Sequence, residues 1–224
     1  ETESQKEFMA RTFFLSPKKL VRMWTSVDRH HFFPMDIKKR EVFTVIFRGA
    51  FLPFVGVEYV IETAKLLQSD PTIHFIIAGR GMLQQRLETQ IKEAGLQNIE
   101  LLTRFLEQDE LRALLCSCHV SLGQLSNHPR TERTIPNKTF ESLAVGLPFI
   151  TSASNSNKEL LTSEKDCLLV EPASPKAIAV AILRLKQDQT LVETLRRHGF
   201  ALCDQALSPT ALAQTFETTW EHYS

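Results

Sequence analysis

The chain has 224 residues, an apolar share of 43%, and 26 Lys+Arg against 26 Asp+Glu. That length suits one large or two small domains with a real core, and the charge balance excludes a global field that recruits nucleic acid or a membrane surface. Four cysteines (Cys116, Cys118, Cys167 and Cys203) form no CxxC pair and have no histidines spaced to join them. They read as reduced, buried thiols, which suits a cytoplasmic chain and argues against zinc. No apolar run approaches a membrane span and no signal peptide opens the sequence. The chain begins at Glu1 and reads as a piece of something longer.

In chain order, residues 1–40 read as a linker segment. Gln5 to Thr12 can form a helix, Lys19 to Trp24 a short strand, and Asp28 to Pro34 a turn. His30 and His31 are adjacent and point apart, with no third ligand spaced to complete a metal site. From Glu41 the pattern repeats. Val42 to Phe47 is a continuous apolar run, as a strand buried on both faces requires. A loop over 48–56 and a helix from Val57 to Leu67 follow. The next strands are predicted at Ile73–Ala78, Ile99–Leu102 and His119–Leu122, with helices over Met82–Ala94 and Glu107–Cys116 between them. After a polar loop come a short helix at 136–145, a strand from Phe149, and a helix near Lys158–Leu161. A strand at Cys167–Val170 and a helix from Pro175 to Leu185 close residues 41–187, and 188–224 read as helices packed on that unit.

Alternating strands and helices at this spacing predict an α/β fold, a Rossmann-like, doubly wound parallel sheet. Ligands of such sheets sit at the carboxyl ends of the strands, here the loops 48–56, 79–81, 103–106, 123–135 and 151–157. Gly79-Arg80-Gly81 is too short for a dinucleotide fingerprint, and Walker and Gly-x-Ser-x-Gly motifs are absent. Without its glycine fingerprint a dehydrogenase or epimerase is disfavoured.

The stretch Ile135–Thr151 organises the rest. Phe140, Leu143 and Ala144 form an inward face, Gly146 a left-handed cap, and Pro148 a stop. Lys138 and Glu141 lie three apart, so both can face one ligand at a helix N-terminus that favours an anion. Spacing equally allows a solvated Lys138–Glu141 pair. Ser152, Ser154 and Ser156 have helix capping as their default role.

The series Gly49–Gly56, Ala78-Gly-Arg-Gly81, Leu111–Leu115, Ile135-Pro-Asn-Lys-Thr-Phe-Glu141 and Gly146-Leu-Pro-Phe-Ile150 resembles the carboxy-terminal half of a GT-B glycosyltransferase. It is most similar to the large retaining family that includes mannosyl- and glucosyltransferases of polysaccharide assembly. The likeness runs from about Leu20 to Leu185. It implies that this half binds a nucleotide-sugar donor, with no metal and no cofactor, for transfer to a glycan or lipid-linked acceptor. The acceptor would be held by an absent N-terminal domain. The implied donor-site residues are Gly49, Gly79, Arg80, Gly81, Arg104, Arg133, Lys138, Thr139 and Glu141, with Glu141 on the ribose. Three positions depart from the family pattern. Arg133 stands where the family's first glutamate is expected, and Ala50 and Val55 replace its two basic diphosphate ligands. Either Arg133, Lys138 and the helix N-terminus supply the lost charge, or the chain is a non-catalytic binding or scaffold relative.

Overall fold

The computed structural model describes residues 1–223, with side chains described through Trp220. The strands are β1 (Phe43–Arg48), β2 (Ile73–Ala78), β3 (Ile99–Leu102), β4 (Val120–Leu122), β5 (Phe149–Ser152) and β6 (Leu168–Val170). They form one parallel sheet in the order β3-β2-β1-β4-β5-β6. The chain steps outward from β1 through β2 and β3, then returns to place β4 on the other side of β1. The crevice between β1 and β4 is therefore the point where the winding reverses.

Alternation along β1 builds both sides of the core. Val45 and Phe47 point to one face, where α2 (Val57–Leu66) and α7 (Pro175–Gln187) pack through Val60, Ile61, Ile178 and Ile182. Ile46 points to the other, against Phe140 and Leu143 of α5 (Asn137–Ala144) and Leu115 of α4 (Gln108–Ser117). Each large side chain sealed from water in this way contributes about 1.5–3 kcal/mol. The expected inward face of α5 is borne out: Phe140, Leu143 and Ala144 are all buried. Gly146 adopts φ 66°, the left-handed cap that its place after the helix requires.

The remaining helices are α1 (Glu3–Thr12), α3 (Gln84–Glu93), α6 (Asn155–Leu160), α8 (Gln189–Ala206) and α9 (Pro209–Tyr223). Leu191, Leu195 and Cys203 bury α8 against the core. Gly199 lets α8 approach α5 closely, since a methyl there would sit 2.8 Å from Leu143 Cδ2. α9 is different: Phe216 and Trp220 of its apolar stripe remain 55% and 65% exposed. They border a groove of about 290 Å³ that also takes Val21 and Met23.

Two expectations need correction. Lys19 to Trp24 is not a strand: a 3-10 turn over Pro17–Lys19 leads into extended chain with no sheet partner. Strand character there depends on a neighbouring edge, which local sequence does not supply. Pro136, expected in the first turn of α5, caps it instead with extended backbone (φ −75°, ψ 151°), and the helix starts at Asn137.

Candidate functional site

The carboxyl ends of β1 and β2 are brought into close contact by glycine. Gly49 N donates to Ala78 O at 3.0 Å, and Gly79 N donates to Leu102 O at 2.8 Å. At Gly79 (φ +151°) a β-carbon would lie 1.9 Å from the Gly49 carbonyl oxygen, so no other residue fits there. Gly81 (φ +157°) is also confined, though less tightly, at 2.7 Å from Phe51 O by the same measure. The Gly-Arg-Gly turn is thus a packing device, and it also shapes one wall of a cleft. That cleft, about 450 Å³, is lined by Arg48, Gly49, Gly79, Arg80, Arg104 and Phe105 among others.

Helix α5 lies at the edge of this cleft, where Lys138 approaches Gly49. Lys138 is only 7% exposed, and its Nζ finds no hydrogen-bond partner. The ammonium lies 3.9 Å from the centroid of the Phe47 ring, and a methyl built on Gly49 would be 3.7 Å from it. Burial, with the Arg48 charge as a smaller contributor, pulls the Lys138 amine well below the usual lysine value. Thr139 is also fully buried, with Oγ1 unpartnered. Glu141 forms an ion pair with Arg48, the last residue of β1. Burial lowers the Arg48 guanidinium to about 9, and its Nε has no acceptor. The buried Lys138 ammonium, without a partner, and the largely buried Arg48 guanidinium, paired with Glu141, therefore lie close together at the carboxyl end of β1. Buried donors without acceptors cost free energy, which an anion placed between them would recover.

The solvated Lys138–Glu141 pair is overturned by these contacts, because Lys138 is buried and Glu141 turns to Arg48. Gly49, Gly79, Arg80 and Arg104 line one cleft, with Lys138 and Glu141 reaching Gly49 and Arg48 at its edge. Arg104 directs its guanidinium to Glu110, with Nη1 2.8 Å from Oε2. Arg133 lies elsewhere in the polar loop, its guanidinium carbon 3.6 Å from the Phe8 ring centroid. Sequence reasoning missed Arg48. The available signal was an arginine ending an otherwise apolar strand at the edge where ligands bind. Among the described residues no group of three His, Cys, Asp or Glu is placed to hold a metal, and all four cysteines are buried and free. No helix among the described residues is long and apolar enough to cross a membrane.

A parallel Rossmann-like sheet in this order, with a cleft at the carboxyl ends of its strands, is the architecture of GT-B glycosyltransferase carboxy-terminal domains. Solved structures bear out the likeness. Anabaena Alr3699/HepE, solved with UDP and glucose, superposes with a TM-score of 0.82 over 98% of this chain and 61% of that one, at 16% identity. The C-terminal domain of the glycosyl transferase group 1 family protein LpcC from Francisella tularensis gives 0.68 over 82% of this chain and 100% of that domain, at 18% identity. The sequence profile of the family Glycosyl transferases group 1 matches residues 42–188, and the chain belongs to that family. Among curated proteins it is similar to the 2-deoxystreptamine N-acetyl-D-glucosaminyltransferase of Niallia circulans, 26% identical over 157 residues. It is also similar to the amylovoran biosynthesis glycosyltransferase AmsK of Erwinia amylovora, 28% identical over 136 residues. These alignments take in 70% and 60% of this chain but only 39% and 33% of the relatives' own lengths.

Proposed function

We propose that this chain is the donor-binding part of a retaining glycosyltransferase, and that the cleft at the carboxyl ends of β1 and β2, beside the start of α5, receives the diphosphate of a nucleotide-sugar. The observation that carries the reading is the buried, unpartnered ammonium of Lys138 beside Gly49. A diphosphate would give that cation an acceptor, and the N-terminus of α5 adds free amides. Arg48 stands two residues before the family's expected basic position at Ala50 and supplies the second charge. Glu141, held by Arg48 through one oxygen, keeps the other for a ribose hydroxyl. Cations and amides aimed at the leaving diphosphate are the means by which such a site would lower the barrier, without metal. The acceptor site belongs to a further domain of the whole protein, for which the exposed Phe216 and Trp220 face is the docking surface.

Titration calorimetry with UDP, and GDP alongside, tests the reading. Saturable binding that survives a chelator is expected, and no binding of either diphosphate would overturn it. The second reading, a non-catalytic relative, draws on Arg133, Ala50 and Val55 replacing the family's glutamate and bases. It is favoured if the whole protein turns over no nucleotide-sugar in a panel that releases UDP or GDP.

A further inference from the structure

We infer that helix α1 positions the turn leading into the donor-site helix, with Phe8 and Glu159 as the positioning residues. The inference rests on the donor site proposed above. Thr2 Oγ1 accepts from Gln5 N, closing the first turn of α1, and also donates to the Arg133 carbonyl. Six residues further on, Phe8 lays its ring under the Arg133 guanidinium. Arg133 forms no ion pair among the described residues, and its Nε is buried without an acceptor. The ring face is therefore what holds that charge in place.

Glu159 of α6 fastens α1 from the other side. Its carboxylate accepts from the Glu3 and Ser4 amides and from Ser4 Oγ, meeting the free N–H groups that begin a helix. The same α6 grips the turn itself. Asn155 N donates to the Glu132 carboxylate, Ser156 N to the Glu132 carbonyl, and Ser156 Oγ to the Thr131 carbonyl. Residues 131–134 are thus clamped between α1 and α6, and α5 with Lys138 begins three residues later. A clamped turn holds the first amides of α5 in place before ligand arrives. The entropy of ordering them is already lost in the free protein, so ligand binding need not supply it.

Amide hydrogen exchange tests this without any ligand. In Phe8→Ala and in Glu159→Ala, the amides of residues 131–139 should exchange at least about ten-fold faster, while those of β1 and β2 keep wild-type rates. Unchanged exchange over 131–139 in both variants overturns the inference, as does equal acceleration throughout the sheet, which would mean general destabilisation. Because this readout needs no donor, its failure is distinct from failure of wild-type protein to bind UDP. Where wild type binds UDP, Phe8→Ala should weaken UDP about three- to ten-fold and leave uridine unchanged. Phe8→Tyr, which keeps the ring face, should restore UDP binding. Equal UDP affinities for wild type and Phe8→Ala overturn the positioning role.

Discussion

Replacing Lys138 by methionine removes the ammonium while keeping most of the apolar stem. In the empty protein two effects oppose each other. The buried charge has no hydrogen-bond partner, and relieving such a group recovers about 1–3 kcal/mol. The ammonium also sits over Phe47, and a desolvated cation–π contact of this kind contributes about 2 kcal/mol. The two nearly cancel, so the urea midpoint of Lys138→Met should stay close to wild type. Ligand binding should not escape so lightly. A charge-assisted hydrogen bond to phosphate contributes roughly 1.5–3 kcal/mol, which is about ten- to a hundred-fold in affinity. Calorimetry with UDP and with uridine separates the diphosphate from the nucleoside: UDP should weaken by that factor, and uridine should not. Equal UDP affinity in wild type and Lys138→Met would refute the assignment of Lys138 to the diphosphate.

Glu141→Ala strips Arg48 of its carboxylate; the pair is part-buried, so breaking it from one side costs less than the about 3–5 kcal/mol of a fully buried pair. A lowered urea midpoint is expected, together with weaker binding of UDP and uridine alike; an unchanged midpoint would show that the pair is solvated. Gly79→Ala drives a β-carbon into the Gly49 carbonyl, so either the β1–β2 edge reorganises or the protein fails to fold, and a wild-type melting curve would contradict the geometry. The pH dependence follows from the depressed Lys138 amine. Between its native value and 10.5 the unfolded chain binds the extra proton, so this residue makes stability rise with pH in that window. UDP, by partnering the charged form, should take up protons on binding within that window and bind more weakly as pH rises through it. A binding enthalpy that does not change with buffer would count against it.

The sheet was legible because parallel strands buried on both faces must be apolar at every position. Ile73–Ala78 carries such a run, broken only by His74, and forms a strand with those bounds; Ile99–Leu102, an edge strand half-buried throughout and carrying Glu100, also forms with the expected bounds. Lys19 to Trp24 has comparable residues and forms none, because a strand is defined by a partner and this segment has no sheet edge beside it. Helix spacing likewise placed Lys138 and Glu141 on one turn of α5 but could not name their neighbours. The residue that meets Glu141 lies 93 positions away on β1. Register between distant elements is set by packing, and no local pattern records it.

The family pattern directed attention to Ala50 and Val55, where basic residues are absent, and away from Arg48, where one is present. The fold explains how the charge can move. Arg48 and Gly49 both lie at the carboxyl end of β1, so a side chain on either neighbour of Gly49 leaves the same edge of the sheet. At position 48 the guanidinium is largely buried at the cleft wall, its Nε unpartnered and its charge met by Glu141. A base at position 50 would meet solvent and ligand directly, since Ala50 is exposed. On the proposed donor site, relocating the charge would give Glu141 two roles: counter-ion of Arg48, and acceptor for a ribose hydroxyl of the ligand. Arg48→Lys, which keeps the charge but loses the fork that grips the carboxylate, should loosen Glu141 and weaken uridine as well as UDP. If only UDP weakens, Arg48 acts on the diphosphate alone and Glu141 needs no support from it.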